Sequence, residues 1–277
     1  MHDSLRMIVA KAMWKEKVKN LLYRVAPRWT TEVMSARARA YSQKVIAGWG
    51  CGEVNRLLAD RLGMTVLAGP MAGLVLTPAV MQEQAGPYLL GVYESELDGV
   101  WADLLERNYR QVVDIGAKFG YYAVGLARRY PEATVIAFDT DWWARGAIRE
   151  LAGANGVRNV EVRGYCAPGW LKAGVKPEAL VICDCEGFES VLFNEETAGA
   201  LKRATLVIEL HDCFVPGVSE KLTALFGKTH QCRRVGLVEK RRESAVSLDF
   251  LTDAQQKLAQ QEVRDRQEWL VCVPTGE

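Results

Sequence analysis

The sequence predicts an α/β protein with a mostly parallel sheet covered by helices on both faces. From Gln111 to near the end of the chain, short apolar runs alternate with segments of helical periodicity. The runs are apolar throughout rather than at every second residue, which is typical of strands buried on both faces. Four of the first five runs also end at or beside an acidic residue. These features predict strands that alternate with helices and a row of carboxylates at one edge of the sheet.

The elements of this region can be assigned in chain order. We predict strands over 111–115, 134–139, 160–163, 179–184, 205–210, 232–238 and 268–273. We predict helices over 121–129, 143–154, 190–193, a further stretch ending at 202, 219–226 and 253–262. Tyr130-Pro131 and Asn155-Gly156 follow two of these helices, and both pairs are typical of helix ends.

The segment before Gln111 follows a different pattern. Glycines between 48 and 52 interrupt a helical pattern that resumes over 53–62, and residues 65–78 predict a β-hairpin around Gly69-Pro70. A loop at Gly86-Pro87 then leads to a helix near 100–105. We therefore divide the chain into a basic helical segment (1–63), a hairpin and lead-in helix packed on the core (64–110), and the sheet domain (111–277).

The first 48 residues are basic. They hold ten Lys or Arg against three Asp or Glu, a net charge of +7 that leaves −6 for the rest of a chain whose total is +1. Apolar residues from Met7 to Val25 recur at helical spacing, which predicts a basic amphipathic helix. We expect this helix to dock on its own domain or on a second copy in a homodimer. Peripheral contact with an anionic membrane is the alternative.

The composition is that of an ordinary globular protein, with 49% hydrophobic and 25% charged residues among 277. The near-neutral total charge gives no reason to expect a nucleic-acid partner. The seven cysteines form no Cys-x-x-Cys and there are three histidines, so we expect reduced thiols and no metal. Since no signal-like segment and no apolar run of membrane-spanning length occurs, we expect a cytoplasmic protein.

The first predicted strand leads into a glycine turn that indicates a ligand site. Apolar residues run to Asp114, Gly116 and Gly120 permit a tight turn, and a helix begins near Tyr121 with free N–H groups and a positive dipole end. The same turn also serves plain strand-to-helix packing. A dinucleotide fold needs Gly-x-Gly-x-x-Gly, but Lys118 stands where the second glycine should fall, so a pyrophosphate fits poorly.

Carboxylates at the strand ends extend this site. Asp114, Asp139, Asp184 and Glu209 fall at the edge where such sheets bind ligands. Asp139 follows Asp114 by 25 positions, a spacing at which an acidic side chain accepts hydrogen bonds from an adenosine ribose. Helix capping by Asp139 and Asp184 is the alternative. S-adenosylmethionine has no phosphate and needs a carboxylate for its ammonium, N–H groups for its carboxylate and an acidic residue for its ribose, which Asp114, the turn and Asp139 offer.

Several motifs resemble those of a known enzyme family. The turn is similar to motif I of Rossmann-like S-adenosylmethionine-dependent methyltransferases, and Asp184-Cys185-Glu186-Gly187-Phe188-Glu189 resembles the Asp-x-Glu-Gly-x-Glu signature of the FkbM-type methyltransferases. Segments 93–97, 136–139 and 207–212 are also similar to that family, and the resemblance covers residues 64–273. Many members have Glu-Pro where this chain has Asp139-Thr140. The resemblance implies a doubly wound Rossmann-like fold with S-adenosylmethionine as the cofactor.

The predicted cofactor site adds two further loops to the turn and the strand ends. Glu94 lies in the segment before motif I that resembles the family, and its alternative role is that of a capping or solvated carboxylate. The Tyr165-Cys166 loop follows the third strand, where it can cover an adenine. The predicted cofactor-binding residues are Glu94, Asp114, Gly116, Ala117, Lys118, Gly120, Asp139, Thr140, Cys166 and Asp184.

Methyl transfer to an alcohol also predicts a base. The protein must hold the acceptor, the methyl carbon and the sulfur in line, and a neutral hydroxyl must lose its proton. His211 is the first candidate because its ordinary pKa is near neutrality. Glu186 and Asp184 are the next candidates, or they orient the methionine end or the acceptor. A buried, hydrogen-bonded His211 without a catalytic role is the alternative.

We therefore interpret the chain as an S-adenosylmethionine-dependent methyltransferase acting on a hydroxyl of a small molecule, a saccharide or a lipid-linked glycan. Two other classes of function are the alternatives. One is an NAD(P)-linked oxidoreductase, which the missing glycine opposes. The other is a non-catalytic adaptor that uses the basic N-terminal helix.

Overall fold

The chain forms a seven-stranded mixed sheet. The computed structural model describes residues 25–236, 244–262 and 267–276. The strands are β1 (Gln111–Ile115), β2 (Thr134–Phe138), β3 (Val160–Arg163), β4 (Leu180–Cys183), β5 (Thr205–Leu210), β6 (His230–Gly236) and β7 (Glu268–Pro274). Their spatial order is β3-β2-β1-β4-β5-β7-β6, in which β1 to β5 are parallel and β7 is antiparallel to both β5 and β6. The predicted α/β fold with a mostly parallel sheet is confirmed.

The strand order reverses beside β1. The chain moves from β1 outward to β2 and β3 and then crosses back, so that β4 lies on the other side of β1. Connections diverge at such a reversal and leave a crevice at the carboxyl ends of the strands, which is where these sheets bind ligands. β1 and β4 pair in register as far as Ile115 and Cys183. The residues that follow the two strands, Gly116 and Asp184, therefore meet at this edge.

Successive residues of the central strands belong to different cores. In β1, Val112 packs in one apolar cluster and Val113 in the other, and Leu180 and Val181 of β4 divide in the same way. Neighbouring side chains of a strand point to opposite faces of the sheet. Both faces are therefore buried, which explains why the strand sequences are apolar throughout.

Helices cover both faces and precede the sheet. They are α1 (Pro27–Gly48), α2 (Cys51–Leu62), α3 (Ala85–Leu90), α4 (Asp98–Leu105), α5 (Tyr121–Arg129), α6 (Trp142–Ala154), α7 (Pro168–Gly174), α8 (Glu189–Leu192), α9 (Glu195–Leu201), α10 (Val218–Phe226) and α11 (Asp253–Gln260). Two 3-10 turns, Pro78–Gln82 and Ser95–Leu97, lie between α2 and α4. The helices predicted over 121–129, 143–154 and 219–226 agree with the structure to within one residue.

Three local predictions differ from the structure. Residues 65–78 reverse direction, but their described pairing is a single antiparallel bridge between Thr65 and Val75 rather than a hairpin of two strands. Helices α3 and α7 are absent from the sequence prediction because Gly86-Pro87 and Pro168-Gly169 lie near their starts. Proline is tolerated in the first turn of a helix, where its missing N–H has no intrahelical acceptor.

The N-terminal predictions can be placed only in part. The amphipathic helix predicted from Met7 lies outside the described residues except for Val25. Leu74, Leu89 and Trp101 share an apolar cluster with Val112 of β1, so the segment between α2 and β1 packs on the sheet. The domain boundaries themselves stay predictions. Within the described part of the chain, no helix combines the length and the hydropathy needed to cross a membrane, and all seven cysteines are free thiols.

Candidate functional site

The glycine turn joins three strands at the edge of the sheet. Gly116 follows β1 with φ +84°, and a Cβ atom there would lie 1.5 Å from the carbonyl oxygen of Asp184. Only glycine combines this backbone conformation with so close an approach. The backbone N–H groups of Gly116 and Ala117 both donate to the carbonyl oxygen of Phe138, at 2.9 and 3.0 Å. The turn is therefore fixed against β2 on one side and against the residue after β4 on the other.

Asp139 is bound to this turn. Its Oδ2 accepts a hydrogen bond from the backbone N–H of Lys118, and its Oδ1 accepts one from the N–H of Asp141, each at 2.8 Å. Burial raises the pKa of Asp139 to about 6, although the two backbone hydrogen bonds favour the charged form. Asp141 and not Asp139 caps α6, since it accepts from the N–H of Trp143. Asp184 caps no helix either, because α8 begins after Phe188 without a side-chain cap.

Two adjoining cavities open at the reversal of the strand order. The smaller, about 30 Å³, lies along the turn and is lined by Glu94, Asp114, Asp184 and residues 116–119, among others. The larger, about 190 Å³, shares Glu94, Lys118 and Asp184 with it and extends toward α1. The predicted residues Glu94, Asp114, Gly116, Ala117, Lys118 and Asp184 therefore do come together around these two cavities.

The lining of the larger cavity is acidic. Among the described residues, it contains one lysine, Lys118, and the six carboxyl groups of Glu83, Glu94, Asp184, Glu186, Glu209 and Glu262. Lys118 Nζ lies 2.9 Å from Glu83 Oε2. In the smaller cavity, burial and the negative charge of Asp184 raise the pKa of Asp114 to about 7. The site has the charge that attracts a cationic ligand.

His211 lies at the centre of a carboxylate cluster beside the larger cavity. Its side chain is 0% exposed, and its Nδ1 lies 3.0 Å from Oε1 of the equally buried Glu189. Its Nε2 faces Asp184 Oδ1 at 3.4 Å, Glu209 Oε2 at 3.4 Å and Glu186 Oε2 at 3.6 Å. The three predicted catalytic residues, Asp184, Glu186 and His211, are thus brought together.

The cluster members differ in their access to the cavity. Glu186 has its side chain 68% exposed, and partial desolvation together with the negative charge of Asp184 raises its pKa to about 7. Burial alone would lower the pKa of His211, but the neighbouring Glu189 and Glu209 and the charge of Asp184 raise it to about 12. Asp184, Glu186 and Glu209 line the larger cavity, and Glu186 is the most exposed of them, whereas the fully buried His211 does not line it.

Four predicted cofactor residues do not line either cavity. These are Gly120, Asp139, Thr140 and Cys166. Gly120 adopts φ +95° and ends the turn, whereas Cys166 is buried in an apolar cluster under the sheet edge. Helix α1 lies over the end of β2, where Ser35 Oγ lies 2.5 Å from Thr140 Oγ1.

Other lining residues are absent from the sequence prediction. Glu83 follows a 3-10 turn and Glu262 follows α11, and no motif indicates either of them as a site residue. Tyr88 and Tyr93, which line both cavities, stack with their ring centroids 4.0 Å apart. Glu189 does carry a signal, since it is the last acidic residue of the 184–189 run, but its pairing with His211 depends on how β4 and β5 lie side by side.

The chain has distant likenesses among solved structures. It is similar to an rRNA methylase from Streptococcus thermophilus, at 15% identity over 65% of this chain and 96% of that one, with a TM-score of 0.46. It is also similar to the O-methyltransferase TomG of tomaymycin synthesis from Streptomyces achromogenes, a complex with SAM, at 18% identity over 66% and 80% of the two chains and a TM-score of 0.46. A third is a precorrin-6y C5,15-methyltransferase from Geobacter metallireducens, at 14% identity over 72% and 93% and a TM-score of 0.40.

These likenesses assign neither a family nor a reaction to the chain, because the identities and the TM-scores are low. No protein-family model matches the sequence, and no curated protein matches it.

Proposed function

We propose that the chain is an S-adenosylmethionine-dependent methyltransferase that acts on a hydroxyl group of a small molecule, a saccharide or a lipid-linked glycan. The observation that supports this most is the acidic cavity at the strand-order reversal, with six carboxyl groups and Lys118 in its lining. Ligands of this class of sheet bind at that place. The charge of the lining then favours one class of cofactor.

The cavity charge favours S-adenosylmethionine over a nicotinamide dinucleotide. S-adenosylmethionine carries a net positive charge from its sulfonium and ammonium groups, whereas NAD(P) brings a negatively charged pyrophosphate. Like charges in a partly desolvated cavity repel strongly. Lys118, the basic residue of the lining, is already paired with Glu83. The carboxyl groups of the lining would therefore disfavour a pyrophosphate. The turn also lacks the second glycine of a dinucleotide site.

The residues of the turn also fit the parts of this cofactor. Gly116 has no side chain at the point where the backbone passes close to Asp184. The carboxylates of Asp114 and Glu94 can balance the charge of an ammonium group. Asp139 offers a carboxylate that the backbone N–H of Lys118 holds in place. When bound, S-adenosylmethionine supplies a methyl group that its sulfonium has already activated. The chain has to orient the acceptor and exclude water from it. The stacked rings of Tyr88 and Tyr93 close one side of the cavity.

We assign the acceptor side of the reaction to Asp184, Glu186 and His211 as a unit. A hydroxyl acceptor must lose its proton, and these groups lie beside the larger cavity. We assign the contact with the acceptor to Glu186, because its side chain is the most exposed of the three and lines the larger cavity. His211 has no exposed surface and acts through its neighbours as a positioning residue, oriented by Glu189.

The 184–189 run supports an FkbM-type methyltransferase as the family. In the structure its three acidic residues surround one imidazole: Asp184 and Glu186 lie near Nε2 of His211, and Glu189 lies at Nδ1. Three acidic positions are expected in one sequence signature if all three side chains surround the same imidazole. A homodimer, a membrane contact through residues 1–48 and a cytoplasmic location stay predictions.

Titration calorimetry with S-adenosylhomocysteine and with NADH distinguishes the three classes of function. We expect S-adenosylhomocysteine to bind one site per chain and NADH to give no saturable heat. Binding of NADH alone would contradict the proposal in favour of an oxidoreductase. Binding of neither ligand would contradict it in favour of an adaptor.

A further inference from the structure

We propose that Asp184, Glu186 and His211 form a binding site for a first-row divalent metal ion, with Glu189 as the group that orients the histidine. One ligand atom from each of the first three residues lies within 4.8 Å of the others. The proposal goes beyond the proposed methyl transfer and does not rest on it.

The orientation of His211 is the first argument. Its Nδ1 is bonded to Glu189 Oε1, which also accepts the backbone N–H of Cys185 at 2.8 Å. Histidines that bind metals are commonly held in this way, with one ring nitrogen on a carboxylate and the other directed at the ion. Glu189 is 0% exposed and has no access to the cavity. It is therefore placed to fix the ring and not to meet a substrate.

The second argument is that Nε2 of His211 has no hydrogen bond although it is fully buried. Among the described residues no group bonds to this atom with acceptable geometry, and Asp184 Oδ1 likewise has no partner. Leaving a buried polar atom without a partner costs free energy. Both atoms point into the same cluster, 3.4 Å apart. A ligand between them would satisfy both.

The distances from Nε2 to the surrounding oxygens leave room for a metal ion between them. A protonated imidazole that donated to a carboxylate would bring nitrogen and oxygen to about 2.7–2.9 Å. Nε2 instead lies 3.4 to 3.6 Å from the oxygens of Asp184, Glu186 and Glu209. Ligand atoms bound at about 2.1 Å to one tetrahedral ion stand about 3.4 Å from each other. The 3.4 and 3.6 Å that separate Nε2 from the oxygens of Asp184 and Glu186 are compatible with ligands around one ion.

The ligand types indicate the kind of metal. Carboxylates alone suit Mg²⁺ and Ca²⁺, but an imidazole nitrogen adds affinity for first-row ions such as Mn²⁺, Fe²⁺ and Zn²⁺. A divalent ion would also balance the negative charge that Asp184, Glu186 and Glu189 bring to one place. The mixed set of one nitrogen and two or more carboxylate oxygens thus selects a first-row divalent cation.

Mn²⁺ is the best probe because it is paramagnetic and has little affinity for thiols. A second cluster, Cys183, Cys185 and Glu189, also has metal-ligand spacing and would compete for Zn²⁺. The full chain, treated with a chelator and then dialysed, is titrated with Mn²⁺ while the electron paramagnetic resonance signal of the free ion is recorded. We expect one saturable site per chain. Electron spin echo envelope modulation from an imidazole nitrogen should show that a histidine binds the ion.

Two variants and two controls make the test specific. Glu186→Gln changes an exposed ligand and should weaken Mn²⁺ binding at least tenfold, and Glu189→Gln should weaken it about 10- to 100-fold by freeing the ring. Glu196→Gln changes an exposed glutamate that pairs with Lys172 and should leave binding unchanged. Cys185→Ser should also leave it unchanged.

Absence of saturable binding up to millimolar Mn²⁺ would overturn the proposal. So would bound Mn²⁺ without nitrogen modulation, or an affinity that Glu186→Gln leaves intact. The nitrogen signal of the unmodified protein decides the matter even if a variant fails to fold. Calorimetry with S-adenosylhomocysteine is a separate measurement, so the metal site and the proposed function can fail independently.

Discussion

The carboxylate of Asp139 accepts a hydrogen bond from the backbone N–H of Lys118 at 2.8 Å, which joins the end of β2 to the glycine turn after β1. The other oxygen of Asp139 is held by the N–H of Asp141. Two backbone donors thus fix this carboxylate without using a side chain. A ribose that reaches Asp139 would meet an acceptor already in place, which lowers the entropy cost of binding.

Replacing Asp139 by alanine should weaken binding of S-adenosylhomocysteine about 10- to 100-fold, since hydrogen bonds to a charged group contribute about 1.5–3 kcal/mol. Calorimetry measures the change. Asp60→Ala, which removes an exposed carboxylate on α2, is the matched control and should bind as the unmodified protein does. An unchanged affinity in a folded Asp139→Ala protein would show that the ribose assignment is wrong.

Gly116→Ala should destabilise the fold by at least about 2 kcal/mol, because it adds a strained φ and a backbone clash. The new Cβ would lie 1.5 Å from the carbonyl oxygen of Asp184. Gly146→Ala is the control: it lies in α6 with nothing within 4 Å of the added atom, and it should stabilise the fold by about 0.5–1 kcal/mol. Urea unfolding measures both. Equal effects of the two substitutions would contradict the described turn.

Arg39→Ala tests whether α1 docks on the sheet. Arg39 Nε lies 2.5 Å from Asp141 Oδ2, with the two side chains 21% and 6% exposed. Removing the arginine leaves a buried carboxylate without its cation, which should cost about 1–3 kcal/mol in urea unfolding. The control is Arg203→Ala, whose partner Glu178 is 77% exposed, and its loss should cost under about 1 kcal/mol. A loss for Arg39→Ala no larger than the control's would mean that α1 does not depend on this contact.

Asp114 should make stability fall as the pH rises. Burial and Asp184 raise its folded-state pKa to about 7, whereas an aspartate in the unfolded chain ionises near about 4. Between these values the folded state binds more protons, so the free energy of unfolding decreases with increasing pH and the loss is complete above pH 7. Above pH 7 the carboxylate of Asp114 is charged in both states, and this charge costs less free energy in the solvated unfolded chain than in the buried site of the folded state.

The measurement that checks this compares the Tm of Asp114→Asn with that of the unmodified protein. The asparagine stays neutral, so its Tm should exceed the unmodified value at pH 8 by a few degrees, about 2–4 °C for each 1 kcal/mol. The difference should shrink toward zero below about pH 3, where the aspartate is neutral in both states. A Tm difference that does not depend on pH would contradict the raised pKa of Asp114.

The sheet can be predicted from the sequence because a strand that is buried on both faces is apolar at every position. A strand such as Leu180–Cys183 is apolar at every position since both of its faces meet a core. The carboxylates that follow β1 and β4 fall at one edge for the same reason, because parallel strands in register end together. Helix α7 gave no such pattern, as its seven residues begin with Pro-Gly and bury only Leu171.

The sequence predicts only some of the residues that line the site. Glu94, Asp114, Lys118 and Asp184 lie in motifs, which predict them as parts of one site. Glu262 lies beyond α11, and its Oε1 accepts the backbone N–H of Glu94 at 3.0 Å across 168 residues. No local pattern predicts such a contact, since it depends on tertiary packing.

The most direct test of the proposed function is a crystal structure of the full chain with S-adenosylhomocysteine. We expect the ribose hydroxyls to lie within hydrogen-bonding distance of Asp139 and the sulfur to face the cavity beside Asp184 and Glu186. Density for the ligand away from the Gly116–Gly120 turn would contradict it.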